Sequence, residues 1–352
     1  MHEMPPACEQ GSIHGLPPVN PVRSPLRLPP SGVIRGCWQL SEGHSDGWSS
    51  ERAFAALDAA AAAEHPLVLD CADIYTGVER IIGDWLAGRP DIAGDVAVHT
   101  KFVPDLGALS TIDREYVRRV VLRSRDRLGV DALELVQFAW WDLSQPKWVH
   151  AAEWLAELRQ EGIIRHLGVT NFDRAALGTL LDAGIPVVSS QVQLSLLDRR
   201  PLKGLTKLCR ERGVTVFAYG ALAGGLLSDA GGPPEESRSL TKYRLIVEEV
   251  GGREVLGRAR GALAELAARH GATMADAAVA YVLRQPGVGA AIVGLSRRGL
   301  MVDGRRVHLS PSDVARLEGT VPETVGGEVF EVERDRQGPH GRIMRYNLNL
   351  EH

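Results

Sequence analysis

From Val33 onward, short runs rich in β-branched residues alternate with stretches whose apolar residues recur at spacings of three and four. The runs are VIRGCW, PLVLD, DVAVHTK, LELVQFA, IIRHLGV, PVVSSQVQL, GVTVFAY and VGAAIVG, eight in all. The early ones recur about every 24 to 38 residues, the repeat of βα units in which a crossover helix returns the chain parallel to itself. In TIDREYVRRVVLRSRDRLG, Val117, Val120 and Val121 share one helical face, Ser110 or Thr111 is placed to cap its start, and Gly129 to end it. In REVLGRARGALAELAARHG, Leu256, Ala259, Leu263, Leu266 and Ala267 keep the same rhythm and Gly271 stops it.

Eight alternations with strands apolar on both faces suit a (β/α)8 TIM barrel or a doubly wound sheet. No GxGxxG follows any strand, which favours the barrel, a single domain over residues 32–321. Residues 1–31 are proline-rich with little periodicity and read as a disordered or loosely attached arm. Residues 322–352 form a C-terminal tail, placed to cover the pocket or one barrel end. The stretch from Ser228 to Gly252 interrupts the repeat and reads as a lid.

Composition narrows the partner. A formal charge of -4 and a pI near 6.3 provide no basic footprint for nucleic acid, so a small molecule is the default. Cys8, Cys37, Cys71 and Cys209 are widely spaced, show no zinc or disulfide pattern, and suggest a reducing cytoplasm. No apolar run reaches the roughly 20 residues of a membrane helix, so no membrane partner is expected.

In a barrel of this kind the loops after the strands build the site, so the strand ends carry the chemistry. Asp70, Lys101, Ala139, Asn171, Gln191 and Tyr219 lie there. Hydride addition to a carbonyl builds an alkoxide that needs an acid, and a phenol is a poor donor near neutrality unless a cation stabilises its phenolate. Lys101 would do that for Tyr75, and Asp70 would keep the lysine charged and fixed. The same residues taken singly read as a helix cap, a rim aromatic and a solvated strand end; together they point to carbonyl reduction.

The chain resembles the aldo-keto reductase superfamily in GCWQL at 36–40, LDCADIY at 69–75, HTKF at 99–102, LGVTNF at 167–172, SQVQL at 190–194, FAYGALAGGLL at 217–227 and AIVGLS at 291–296. The resemblance spans most of residues 33–318 and implies NADPH as cofactor, with NADH as the alternative. It makes Asp70, Tyr75 and Lys101 the catalytic set. Asn171 and Gln191 would bond a nicotinamide carboxamide, and Tyr219 would stack on the ring. Cys37, Trp38, Asp70, Thr170, Gly220, Ala221, Leu222, Gly224, Leu226 and Gly294 would complete the cofactor contacts. Gly224 and Gly225 remove side chains where a pyrophosphate would approach. Ser296, Arg297 and Arg298 would hold the extra phosphate of NADPH. The loop after the last strand is shorter than the family pattern and lacks its Glu-Asn pair.

A larger departure is Ala139, which stands where the family places a histidine; a methyl cannot donate to the carbonyl oxygen. Water, the indole N–H of Trp140 or a polar group of a bulkier substrate could fill the gap. Trp38, Ala139 and Trp140 are the expected substrate wall, with Trp140 and Trp141 sent in opposite directions by strand alternation. His99 shares parity with Lys101 and reads as a satisfied interior histidine; His44 reads as a solvated loop residue. The reading is NADPH-dependent reduction of an aldehyde or ketone. Its rivals are a cofactor-binding, redox-sensing barrel with little turnover, and a non-redox lyase or cyclase.

Overall fold

The computed structural model describes residues 25–41, 49–231, 238–295 and 301–349. Alternation continues through the chain: β1 (Val33–Gly36), α1 (Ser50–Ala63), β2 (Leu67–Asp70), α2 (Val78–Ala87), β3 (Val96–Phe102), α3 (Arg114–Leu128), β4 (Leu133–Phe138) and α4 (Trp148–Gln160). There follow β5 (Ile164–Thr170), α5 (Arg174–Asp182), β6 (Val187–Gln193), α6 (Leu205–Glu211) and β7 (Thr215–Tyr219). After β7 come α7 (Arg238–Glu249), α8 (Gly252–Arg269) and α9 (Met274–Leu283), then β8 (Val288–Gly294). All eight strands pair in parallel in chain order and β8 closes on β1, a (β/α)8 TIM barrel as the periodicity predicts.

Closure explains the strand composition. Each strand has helices on one side and the barrel interior on the other, so both faces are buried and the runs read as nearly continuous apolar sequence. Ile34, Val68, Ala97, Leu135, Phe217 and Ala290 fill the interior, and Leu26 and Leu28 pack against them from the segment before β1. Arg27 donates to Gly94 O at 2.8 Å. Of the proline-rich arm, residues 25–31 therefore lie against the barrel, while 1–24 fall outside the described residues.

Helix ends follow local chemistry. α3 starts one turn later than expected from Ser110 or Thr111: residues 106–112 form tight turns, and Asp113 is the cap, accepting from Tyr116 N at 2.8 Å. Gly129, at φ +65°, ends the helix as its position suggested. Past β8, α10 (Pro311–Thr320), α11 (Glu331–Arg334) and α12 (Pro339–Arg342) lead into an extended segment that reaches the loop after β3. Among the described residues no helix is long and apolar enough to cross a membrane.

Gly83 shows how closely α2 and α3 pack. A Cβ there would land on the carbonyl oxygen of Arg127, inside contact distance and against backbone that no rotamer change can relieve. Alanine is favoured over glycine inside a helix by about 1 kcal/mol, whereas overpacking costs about 1–3 kcal/mol. Gly83→Ala is therefore expected to destabilise the fold by up to about 2 kcal/mol, since the clash is with backbone. Urea unfolding should show a lower midpoint at unchanged slope; a midpoint that stays or rises would contradict this packing.

Candidate active site

Asp70 ends β2, and Lys101 lies on β3 one residue before its end; both side chains point inward and both are buried. Lys101 Nζ donates to Asp70 Oδ1 at 2.5 Å and to Cys71 O at 2.8 Å. The same Nζ lies 5.1 Å from the centroid of the Tyr75 ring. Tyr75 N–H donates to Ala72 O at 3.1 Å, so the phenol stands on a tight turn directly after β2. Trp38 meets the Tyr75 ring edge to face with centroids 4.7 Å apart, forming a wall beside it.

The electrostatics correct one part of the sequence reading. Burial would lower the Lys101 ammonium, but Asp70 and then Tyr75 outweigh it and raise it above its ordinary value. Burial also pushes the Tyr75 phenol up, to about 12, against the downward pull of Lys101. The lysine therefore offsets part of the burial effect and does not make the phenol acidic on its own. Tyr75 is protonated through the neutral range, the state a proton donor needs.

Asp70 has further partners that the sequence reading passed over. Gln137 Nε2 donates to Asp70 Oδ2 at 2.9 Å, and Gln191 Nε2 donates to the same oxygen at 2.7 Å and to Gln137 Oε1 at 2.9 Å. Gln137 was visible as a polar residue inside LELVQFA, two positions before Ala139 and so on the same strand face. One layer below, His99 stacks on Phe217 with centroids 5.6 Å apart, and burial pulls its imidazole down to about 4. It is interior as expected but not satisfied: neither ring nitrogen has a partner among the described residues.

Around the cofactor positions, Thr170 ends β5 and is buried, and Asn171 follows it at φ +62°. Tyr219, the last residue of β7, donates its hydroxyl to Asn171 Oδ1 at 2.9 Å. Ala221, Leu222 and Leu226 lie on the loop after β7, Gly294 ends β8, and Cys37 is buried with its thiol 3.6 Å from Arg35 O. A side chain on Gly220 or Gly224 would come within 2.6 Å of Tyr243 on α7. The space beside Gly224, one of the two glycines expected to clear a path for a pyrophosphate, is thus taken on that side by the Tyr243 ring. Lys242, beside Tyr243, places Nζ 5.0 Å from the Tyr219 ring centroid. The interrupting segment accordingly folds onto this side of the mouth through α7. His44, Ser296, Arg297 and Arg298 lie outside the described residues.

Trp140 does not supply the donor that Ala139 lacks. Its Nε1 donates to Asp142 O at 2.9 Å and its ring packs on Phe138, within the core beneath the helices. Trp141 instead meets Tyr346 and Phe330 of the tail, at centroid distances of 5.1 and 6.4 Å. Its Nε1 is buried without a partner among the described residues. Parity with Ala139 was the available signal.

The tail grips the mouth at several points. Arg334 Nη2 donates to Asn171 O at 2.6 Å, and Glu333 accepts both Nη1 and Nη2 of Arg200, which also bonds Asp198. Burial acts to raise Glu333, yet Arg200 and Lys242 hold its carboxyl down at about 2.

The family model described as the aldo/keto reductase family matches residues 33–321. The aldo-keto reductase str7 of Strobilurus tenacellus is 32% identical over 192 residues, about half of each chain (53% and 55%). An uncharacterized oxidoreductase of Bacillus subtilis, YqkF, is 28% identical over 71% of this chain and 78% of its own, and Protein tas of Escherichia coli is 27% identical over 68% and 78%. A crystal structure of Tm1743, a thermostable aldo-keto reductase, shares the fold with a TM-score of 0.65 at 24% identity, covering 82% of this chain and 94% of that one. With the barrel and nearly all of its strand-end residues inside the matched region, the chain belongs to the aldo/keto reductase family, oxidoreductases that use nicotinamide cofactors on small-molecule carbonyl substrates.

Proposed function

We propose that the protein reduces an aldehyde or ketone with NADPH, Tyr75 giving up the proton. The observation that carries this reading is the single ammonium of Lys101 set between the Asp70 carboxylate and the Tyr75 ring. Bound in this site, the reduced nicotinamide would supply the hydride. Gln191 already commits its amide nitrogen to Asp70, which leaves its carbonyl oxygen to accept from a carboxamide; Asn171 lies beside it and Tyr219 offers a ring face. This donor and acceptor set fits a nicotinamide. Arg297 and Arg298 are the candidates for the extra phosphate of NADPH. A relative named NADH-specific methylglyoxal reductase, 32% identical over 36% of this chain, keeps NADH as the alternative.

As negative charge grows on the substrate oxygen, the phenol proton of Tyr75 moves to it, and Lys101 steadies the phenolate left behind. Asp70, fixed by Gln137 and Gln191, prevents the ammonium from swinging away. Ala139, with only a methyl, leaves room beside the reacting oxygen. A substrate wider than a simple aldehyde follows from that room. Ala139 also favours a second reading, a barrel that binds cofactor with little turnover.

Two variants test the assignment. Tyr75→Phe should lower kcat by at least about 100-fold, with NADPH still quenching protein fluorescence to saturation; retained turnover removes Tyr75 from its role. Ala139→His should raise the reduction of generic aldehydes by roughly tenfold, since one oxyanion donor is commonly worth that or more. Saturable NADPH binding with no turnover on any carbonyl would favour the second reading.

A further inference from the structure

The turn that carries Tyr75 is anchored from an unexpected direction. Asp73 is its second residue, buried, and its Oδ2 accepts from Val103 N at 3.0 Å and from Asn349 Nδ2 at 2.9 Å. Arg127 reaches the Asp73 carbonyl oxygen at 3.4 Å. Asn349 is itself buried and fully engaged: Nδ2 also donates to Val103 O, its backbone N–H donates to Asp105 Oδ1 at 2.8 Å, and Arg123 donates to its Oδ1. Two neighbouring bonds dock the same segment, Leu106 N to Tyr346 O at 2.9 Å and Gly107 N to Asn347 Oδ1 at 3.1 Å. Residues 330–349 therefore cross from the ends of β5 and β6, where Arg334 and Glu333 bind, to the ends of β2 and β3.

We infer that Asn349 is a positioning residue for proton donation by Tyr75: through Asp73 it holds the turn bearing the phenol, so that docking of the C-terminal segment completes the site. The inference rests on the reductase reading for its kinetic consequence, though not for the anchor. A surface tail would bond backbone and leave its side chains in water. This one buries an amide against a buried carboxylate two residues from the phenol, and bonds to a charged group are the stronger kind.

The anchor has a titratable part. Burial, and then Glu79 of α2, push the Asp73 carboxyl up to about 7, while Val103 N–H, Asn349 and Arg123 of α3 pull it down. Arg127 of α3 and Asp105 of the loop after β3 complete the charged surroundings. Ionised, Asp73 accepts strongly from both donors; protonation as pH falls through about 7 weakens the clamp. Turnover should accordingly drop on the acid side of that value.

The experiment compares the full-length wild type with Asn349→Ala and Asp73→Asn. In Asn349→Ala, amide hydrogen exchange should rise at residues 72–75 and at Val103 in the cofactor-free protein. Its kcat should fall roughly tenfold, the size of effect a small displacement of a reacting group produces, with NADPH affinity unchanged and the acid limb of the kcat profile moved to higher pH. Asp73→Asn keeps an acceptor but cannot ionise, so its profile should be flat at the wild type's acid-side level. Wild-type exchange together with a wild-type pH profile in Asn349→Ala would overturn the inference, as would an unaltered acid limb in Asp73→Asn. Absence of carbonyl turnover in the wild type would sink the reductase reading alone, and the exchange measurements would still decide the anchor.

Discussion

An ammonium taken into a protein interior loses several kcal/mol of hydration and is tolerated only beside a well-placed anion whose remaining lone pairs are also used. Lys101 and Asp70 meet that condition, with Gln137 and Gln191 on the second carboxylate oxygen. Parallel strands of a closed barrel make it possible: Asp70 stands in register with His99, and Lys101 with Gln137, so the groups converge without any loop having to fold over them. The Tyr75 ring and the amides of Gln137 and Gln191 are all set against this pair.

Two pieces outside the eightfold repeat finish the mouth. On one side, α7 lays Tyr243 across Gly220 and Gly224 and brings Lys242 to Tyr219. On the other, the tail inserts Glu333 toward Arg200, holds Asn171 through Arg334, and sets Tyr346 against Trp141. Arg200, Asp198 and Glu333 are buried together, and removing one partner of such a set leaves the others uncompensated. The tail is therefore fastened to the barrel through buried charges as well as through packing.

The barrel was legible because its signal is periodic: eight apolar runs at regular spacing, with the polar exceptions Asp70 and Lys101 at strand ends. Gln137 could have been read the same way, from its parity with Ala139. Trp140 and Trp141 were separable only as opposite directions, and the contacts that settle which one faces the tail depend on Tyr346, some two hundred residues away in sequence. Gly224 and Gly225 read as a phosphate cradle because a missing side chain records that space is needed, not what fills it; at Gly224 the neighbour is Tyr243. The docking of Asn349 on Asp73 left no local pattern, since neither residue's neighbours in sequence carry the other's signature. The start of α3 at Asp113 shows the same limit on a small scale, where several capping residues were available and the turns before the helix chose among them.

The bond between Asp73 and Asn349 joins positions 276 residues apart. During synthesis β1 and β8 both emerge before residue 349 does, so this fastening is the last of the turn's contacts to become available. A nascent chain in that interval would hold the pocket's walls and the ion pair while the segment bearing the phenol lacked its last restraint. The last restraint on that turn thus waits on elongation reaching the end of the tail.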